Sequence, residues 1–305
     1  MATGWPPQRD VTTPLKDNLL AASFMTASMA AFTFNDTLMK MMAGDVPRYQ
    51  LLFLRGLMTS TIVAVIAWRM GAFAVRLTPK DRARVLLRSL TDTAAAFFFL
   101  TALFNMPLAN VTAILQALPL TITLAAWAIM GEPVGWRRFL AIAVGLLGVM
   151  LIIRPGAEDF TVYSLYAMAA VACVTARDLI TRTMSPDVPS MLAVFVNSAM
   201  IMIVFGILTI PGDWVAMTPR TWGLTSGAAI LIIGAYLFSI LVMRVGDISF
   251  VAPFRYTGLL WALILGYLVF GDWPAPLTLL GAGIVVASGL FMLYRETRAM
   301  KRIAN

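Results

Sequence analysis

Six ionisable side chains, Asp36, Arg55, Asp92, Arg177, Asp178 and Arg255, stand within stretches that are otherwise apolar enough to cross a bilayer. A charge in hydrocarbon is costly, so each should face a bundle interior or water and have a partner, and each is a candidate gate or coupling residue. Nearer the middle of their stretches lie Gln116, Asn197, Tyr236 and Trp261, residues able to hydrogen-bond to or stack on a solute in a central cavity. Polar side chains also bond helix to helix, so packing is the competing role for each of them. The chain has no His, a single Cys173, no P-loop and no GxSxG elbow. These residues therefore suit binding and charge pairing rather than catalysis, and no cofactor, metal or internal disulfide is expected. The 20 Met residues are scattered without ligand spacing and are read as core filling.

The elements that must position these side chains follow from composition. Of 305 residues 60% are hydrophobic and 12% charged, too little polar surface to coat a soluble globule, so lipid is the expected solvent. Apolar runs between breakers predict helices over 18–42, 49–69, 86–105, 108–130, 136–153, 162–184, 189–210, 221–243, 249–270 and 276–294. Ten spans put both termini on one side. Sixteen Lys and Arg residues then fall on that side and only Arg48, Arg154 and Arg220 on the other, a bias that marks the first side as cytoplasmic. The same distribution explains the net charge of +8 without nucleic acid, because the bases sit in the gaps rather than on one face. The first residues carry no short apolar core with a cleavage site, so no removable signal peptide is expected. Trp68, Trp136, Trp214, Trp222 and Trp273 fall near predicted interfaces, as an aromatic belt requires.

The two halves repeat. FNDTLMKMMAGDVP at 34–47 aligns with ARDLITRTMSPDVP at 176–189, and GEPVGWRRFLAIAVGLLGVMLIIRP from Gly131 with GDWPAPLTLLGAGIVVASGLFMLYR from Gly271. A repeat of five helices, an odd number, places the second copy upside down, the inverted-repeat arrangement of many secondary transporters. Depth sharpens the charge pattern at about 1.5 Å of rise per residue. Asp36 and Arg55 fall roughly 9 Å inside one face, and Asp178 and Arg255 at a similar depth from the other, so two mirrored pairs are geometrically possible. Either pair would close one path to the centre, or both would be permanent staples between helices. Pro119 and Pro253 remove backbone donors in the fourth and ninth helices and loosen them around such a centre. The glycines of GLTSG at 223–227, with Gly281, Gly283 and Ala287, are expected to permit close helix packing.

On these residues the chain resembles a known family. LANVTAILQALPLTITLAAWAIMGEPVGWRRFLAIAVGLLGVMLIIRPG is similar to the signature of helices 4 and 5 in the EamA group of the drug/metabolite transporter superfamily, and ISFVAPFRYTGLLWALILGYLVFGDWPAPLTLLGAGIVVASGLFMLYRE to its second-half counterpart. FNDTLMK followed by FLRG resembles a bacterial subgroup that includes S-adenosylmethionine uptake carriers; other relatives export amino acids or move riboflavin. The resemblance implies a ten-helix secondary carrier, and it departs from the family pattern where Asp272 replaces the usual Glu.

The expected architecture is an all-α membrane protein with a cytoplasmic segment over 1–17, a first five-helix repeat over 18–155, a second over 156–294 and a basic cytoplasmic tail over 295–305. The expected function is alternating-access transport of a small polar or zwitterionic metabolite, such as an amino acid or an S-adenosylmethionine-like compound, across the inner membrane. Its partners would be that solute, the lipid bilayer and a coupling proton or counter-substrate. A non-transporting scaffold or sensor, and a passive channel, are the alternatives.

Overall fold

A computed structural model describes residues 15–132, 134–154, 161–245 and 248–304. The N-terminal segment and the 155/156 repeat boundary lie outside the described residues, as do the side chains of the basic tail beyond Arg295. Among the described residues the protein is all helical. The ten membrane helices are α1 (Leu15–Lys40), α2 (Arg48–Arg69), α3 (Pro79–Asn105), α4 (Leu108–Leu115 and Leu118–Met130), α5 (Trp136–Ile153), α6 (Val162–Arg182), α7 (Ser190–Thr209), α8 (Pro219–Val245), α9 (Ile248–Val251, a 3₁₀ stretch Ala252–Tyr256, then Thr257–Phe270) and α10 (Pro276–Ala304). Nine of them carry an apolar window long enough to span a membrane; α1, which includes Lys16, Asp17, Asp36 and Lys40, packs along α8 and α9.

Two boundaries differ from the hydropathy pattern for local reasons. Helix α3 starts at Pro79 rather than near residue 86, because Thr78 caps it by accepting the Asp81 N–H at 3.1 Å and Pro79 fits the first turn. Its charged first turns, PKDRAR, thus extend a helix whose apolar part begins later. Helix α10 runs on through the basic residues to Ala304. The repeated Gly-acid motif is a helix stop in both halves. Gly131 and Gly271 take left-handed φ values of 70° and 69°, and Glu132 and Asp272 each return their N–H six residues back, to Ala126 and Gly266.

Packing obeys a pseudo-twofold axis. The pair α1·α8 in one orientation reappears as α6·α3, and α1·α9 as α6·α4, while α2·α7, α4·α9 and α5·α10 each map onto themselves. Two five-helix repeats in opposite directions therefore interlock rather than stand side by side. The outer faces are apolar, with Leu140, Leu147, Ile207, Leu260 and Leu268 exposed, and all five belt tryptophans are exposed, near helix ends or in the connections between helices. That surface is built for lipid.

Of the expected packing glycines, Gly281 is the tight one. A Cβ there would come within 2.6 Å of the Gly148 carbonyl oxygen and 2.9 Å of Ile152 Cγ1, so α5 and α10 touch backbone to backbone; Gly283 and Gly223 have nothing within 4 Å. Gly281→Ala is expected to destabilise by about 1–3 kcal/mol through overpacking, and Gly283→Ala to be neutral. Thermal unfolding of the two purified variants checks this, and equal melting temperatures would refute the backbone contact.

Candidate functional site

The helices converge on a cavity of about 290 Å³ near the crossing of the two repeats. Every helix except α5 and α10 contributes to its lining. Asp36, Arg55, Asp92, Gln116, Arg177, Asn197, Tyr236 and Arg255 all line it, so eight of the ten residues singled out in the sequence meet in one place. Asp178 stands behind Arg177, outside the lining. Trp261 packs on the exposed ring of Phe34 at 6.1 Å between centroids and does not reach the cavity.

The charges are connected differently from two simple pairs. Arg177 Nη1 donates to Asp92 Oδ1 at 2.7 Å while its Nε and Nη2 reach Asp178 Oδ1 at 2.9 and 2.8 Å. A guanidinium carries donors on two edges, so one Arg satisfies both carboxylates and joins α3 to α6. Asn197 Nδ2 donates to the second Asp92 oxygen at 2.6 Å. On the other side Asp36 and Arg55 are electrostatic neighbours but not in direct contact. Asn35 stands between them, donating to Asp36 Oδ1 at 2.9 Å and accepting from Arg55 Nη1 at 3.3 Å. Asp178 and Arg255 are likewise near in charge without an ion pair, because Arg177 already holds the carboxylate.

This arrangement is symmetric in the repeat. Asn35 and Arg177 occupy equivalent positions, each bonding the Asp that follows it, and Arg55 in α2 is equivalent to Asn197 in α7. Asn35 is therefore a site residue that carries no charge to mark it, although the N-D and R-D pairs already stand opposite each other in the aligned sequences. The six charges alternate in sign and sum to zero.

Around this network the polar groups are incompletely paired. Among the described residues the buried Thr59 Oγ1 and Asn197 Oδ1 find no hydrogen-bond partner, and both residues line the cavity; the Tyr256 hydroxyl, also without a partner, points away from it at Gly289 of α10. Buried polar atoms are normally satisfied, so clustering of such atoms on one cavity fits a place where a polar solute completes the bonding. Arg255 makes no hydrogen bond or ion pair among the described residues. Phe32, Phe99 and Tyr236 add rings, with Phe32 and Tyr236 edge to face at 5.6 Å.

The cavity also sits where α4 and α9 lose regular α-geometry. Pro119 has no N–H to give the Leu115 carbonyl, and the turn tightens there, Gln116 and Ala117 donating three residues back. The 3₁₀ stretch Ala252–Tyr256 contains Pro253 and occupies the corresponding place in α9. Discontinuous helices at matching positions of two inverted halves are the usual pointer to a transporter's solute site. Among the described residues no group of three His, Cys, Asp or Glu side chains is arranged to hold a metal ion.

Comparison with known proteins identifies the family. Residues 19–154 and 161–294 each match the EamA-like transporter family. The chain is 25% identical over 299 residues to the S-adenosylmethionine uptake transporter of Rickettsia bellii, covering 94% of this chain and 98% of that protein. It is 31% identical over 204 residues to the riboflavin transporter of Vibrio cholerae, 66% of this chain and 68% of the other, and 24% identical over 285 residues to the pseudopaline exporter CntI of Pseudomonas aeruginosa, 89% and 95%. One solved crystal structure of a protein superposes with a TM-score of 0.63 at 18% identity, over 90% of this chain and 99% of its own; it supports the fold alone.

Proposed function

Because the chain belongs to the EamA-like transporter family, a family of multi-pass membrane proteins that move small solutes, we propose that it carries a small zwitterionic metabolite of the amino-acid or S-adenosylmethionine kind by alternating access about the central cavity. The observation that carries the solute class is the cavity's balanced set of Asp and Arg side chains beside aromatic rings. A solute with charges of both signs meets complementary groups there without leaving a net charge in the membrane. The relatives named for S-adenosylmethionine uptake align over nearly the whole chain and favour the same class. The membrane of this reading is a bacterial inner membrane with both termini cytoplasmic, an orientation that the sixteen-to-three division of basic residues supports. The coupling partner is a proton or a counter-substrate.

Counterflow in proteoliposomes tests this reading. Vesicles preloaded with unlabelled S-adenosylmethionine should transiently accumulate the labelled compound above its equilibrium level, and vesicles preloaded with riboflavin should not. A channel lets label equilibrate without overshoot, and a scaffold or sensor gives no uptake beyond empty vesicles. Either result overturns the carrier assignment, and an overshoot with riboflavin alone overturns the zwitterion.

A further inference from the structure

The charges lining the cavity are not equivalent, and their bonding shows which of them is free for a ligand. Arg177 is held by two carboxylates, Asp92 and Asp178. Arg55 is bonded to Asn35 and lies in the field of Asp36 and Asp92. Arg255 alone of the three lining arginines has no hydrogen bond and no ion pair among the described residues, although it lines the cavity and is only partly exposed. It sits in the 3₁₀ stretch of α9, three residues before Gly258. The amide of Gln116, at the tightened turn of α4, lies 3.8 Å from the place a Cβ would take on Gly258, so α4 and α9 touch there and bring Gln116 and Arg255 to the same cavity. Gln116 likewise spends its side chain on no hydrogen bond among the described residues.

We propose that Arg255 is the group that reads the solute's carboxylate, with the Gln116 amide as a second donor. The inference rests on the zwitterionic carrier reading above and gives that solute an orientation. A guanidinium offers two parallel N–H bonds to a carboxylate, and such a charge-assisted pair in a cavity walled by protein is strong and geometrically selective. With Asp178 and Arg177 close by, the local charge around Arg255 balances to a single positive excess before Asp92 is counted, and to zero with it. A singly charged anion suits that field better than a dianion.

The test uses three related probes competing for labelled S-adenosylmethionine in counterflow: S-adenosylmethionine itself, its decarboxylated form, and S-adenosylhomocysteine, which keeps the carboxylate and lacks the sulfonium charge. The wild-type protein should prefer S-adenosylmethionine to the decarboxylated form at least tenfold. Arg255→Gln should bring that ratio within about threefold of unity, leave the ratio to S-adenosylhomocysteine unchanged, and weaken uptake overall; Arg255→Lys, keeping the charge without the fork, should fall between. A loss that merely reflects damaged packing would weaken all three probes alike. If Arg255→Gln elutes as a folded protein and still discriminates tenfold, the assignment fails while the carrier reading stands. If the wild-type protein exchanges riboflavin but none of the three probes, the zwitterion reading fails and this inference with it.

Discussion

Arg177→Gln is expected to be the most damaging single substitution in the cavity, lowering stability by about 3–5 kcal/mol. The reason is what it leaves behind. Asp92 is buried on α3 with both oxygens engaged, one by Arg177 at 2.7 Å and the other by Asn197 at 2.6 Å. Without the guanidinium its charge keeps one amide hydrogen bond and only the more distant fields of Arg55 and Arg88, beside an Asp178 that has lost the same partner. Removing both members of the pair should be milder, since the double variant no longer buries an unpaired Asp92 carboxylate and leaves only the less buried Asp178, which keeps Arg255 nearby. Thermal unfolding in detergent of Arg177→Gln, Asp92→Asn and the double variant measures this as a cycle. The double variant should melt above Arg177→Gln alone. If the two single effects simply add to that of the double variant, Arg177 and Asp92 are not coupled and the network is not what joins α3 to α6.

The fold was almost entirely legible in the sequence because a bilayer permits so few solutions. An apolar run of about 20 residues has one way to satisfy its backbone in lipid, and the repeat of five such runs dictates an inverted copy. What hydropathy does not register is local chemistry. The Thr78 cap lengthened α3 into a charged segment, and Pro119 and Pro253 tightened α4 and α9 without ending them. The site was legible as a set of residues and not as a set of bonds. Depth counting assigns a height along the membrane normal but no direction around each helix. It therefore suggested Asp36 with Arg55 and Asp178 with Arg255, where the fold inserts Asn35 in the first pair and gives Asp178 to its own neighbour Arg177. Trp261 failed for the same reason: at a suitable depth, it faces Phe34 rather than the cavity.

That correction moves the expected gates from the charges to the helix ends. At the end carrying the α1–α2 turn, the buried Gln50 amide bonds both ways to the Val215 backbone, donating at 2.6 Å and accepting at 3.0 Å, and Arg220 meets Asp45 at 3.1 Å. At the opposite end Asp81 accepts the Ser185 N–H at 3.2 Å, and Phe73 packs edge to face on Phe195 at 5.2 Å. The repeat maps one set onto the other: Asp45 and Arg220 in the first correspond to the α6–α7 turn and the start of α3 in the second. Two clasps related by the axis that interchanges the halves are what an alternating-access protein needs, provided that one breaks when the other forms. Gln50→Ala removes two hydrogen bonds from a buried place, a differential contact worth about 1–3 kcal/mol, and should raise the population open at its end some five- to 150-fold. Asp81→Ala keeps the backbone N–H that Thr78 caps and should shift the balance the other way, by less, since only one bond between the two helix ends, that to Ser185, goes with the local ones from Thr78 and Arg84. Cysteines at Leu100 and Val194, cavity positions toward opposite ends, report the change by labelling from either side, in a background with Cys173 replaced by Ala. Gln50→Ala should increase labelling at position 100 and decrease it at position 194, with Asp81→Ala reversing both. Should the two variants fold and label alike, the clasps are fixed struts, and the moving contacts must be sought among the cavity charges after all.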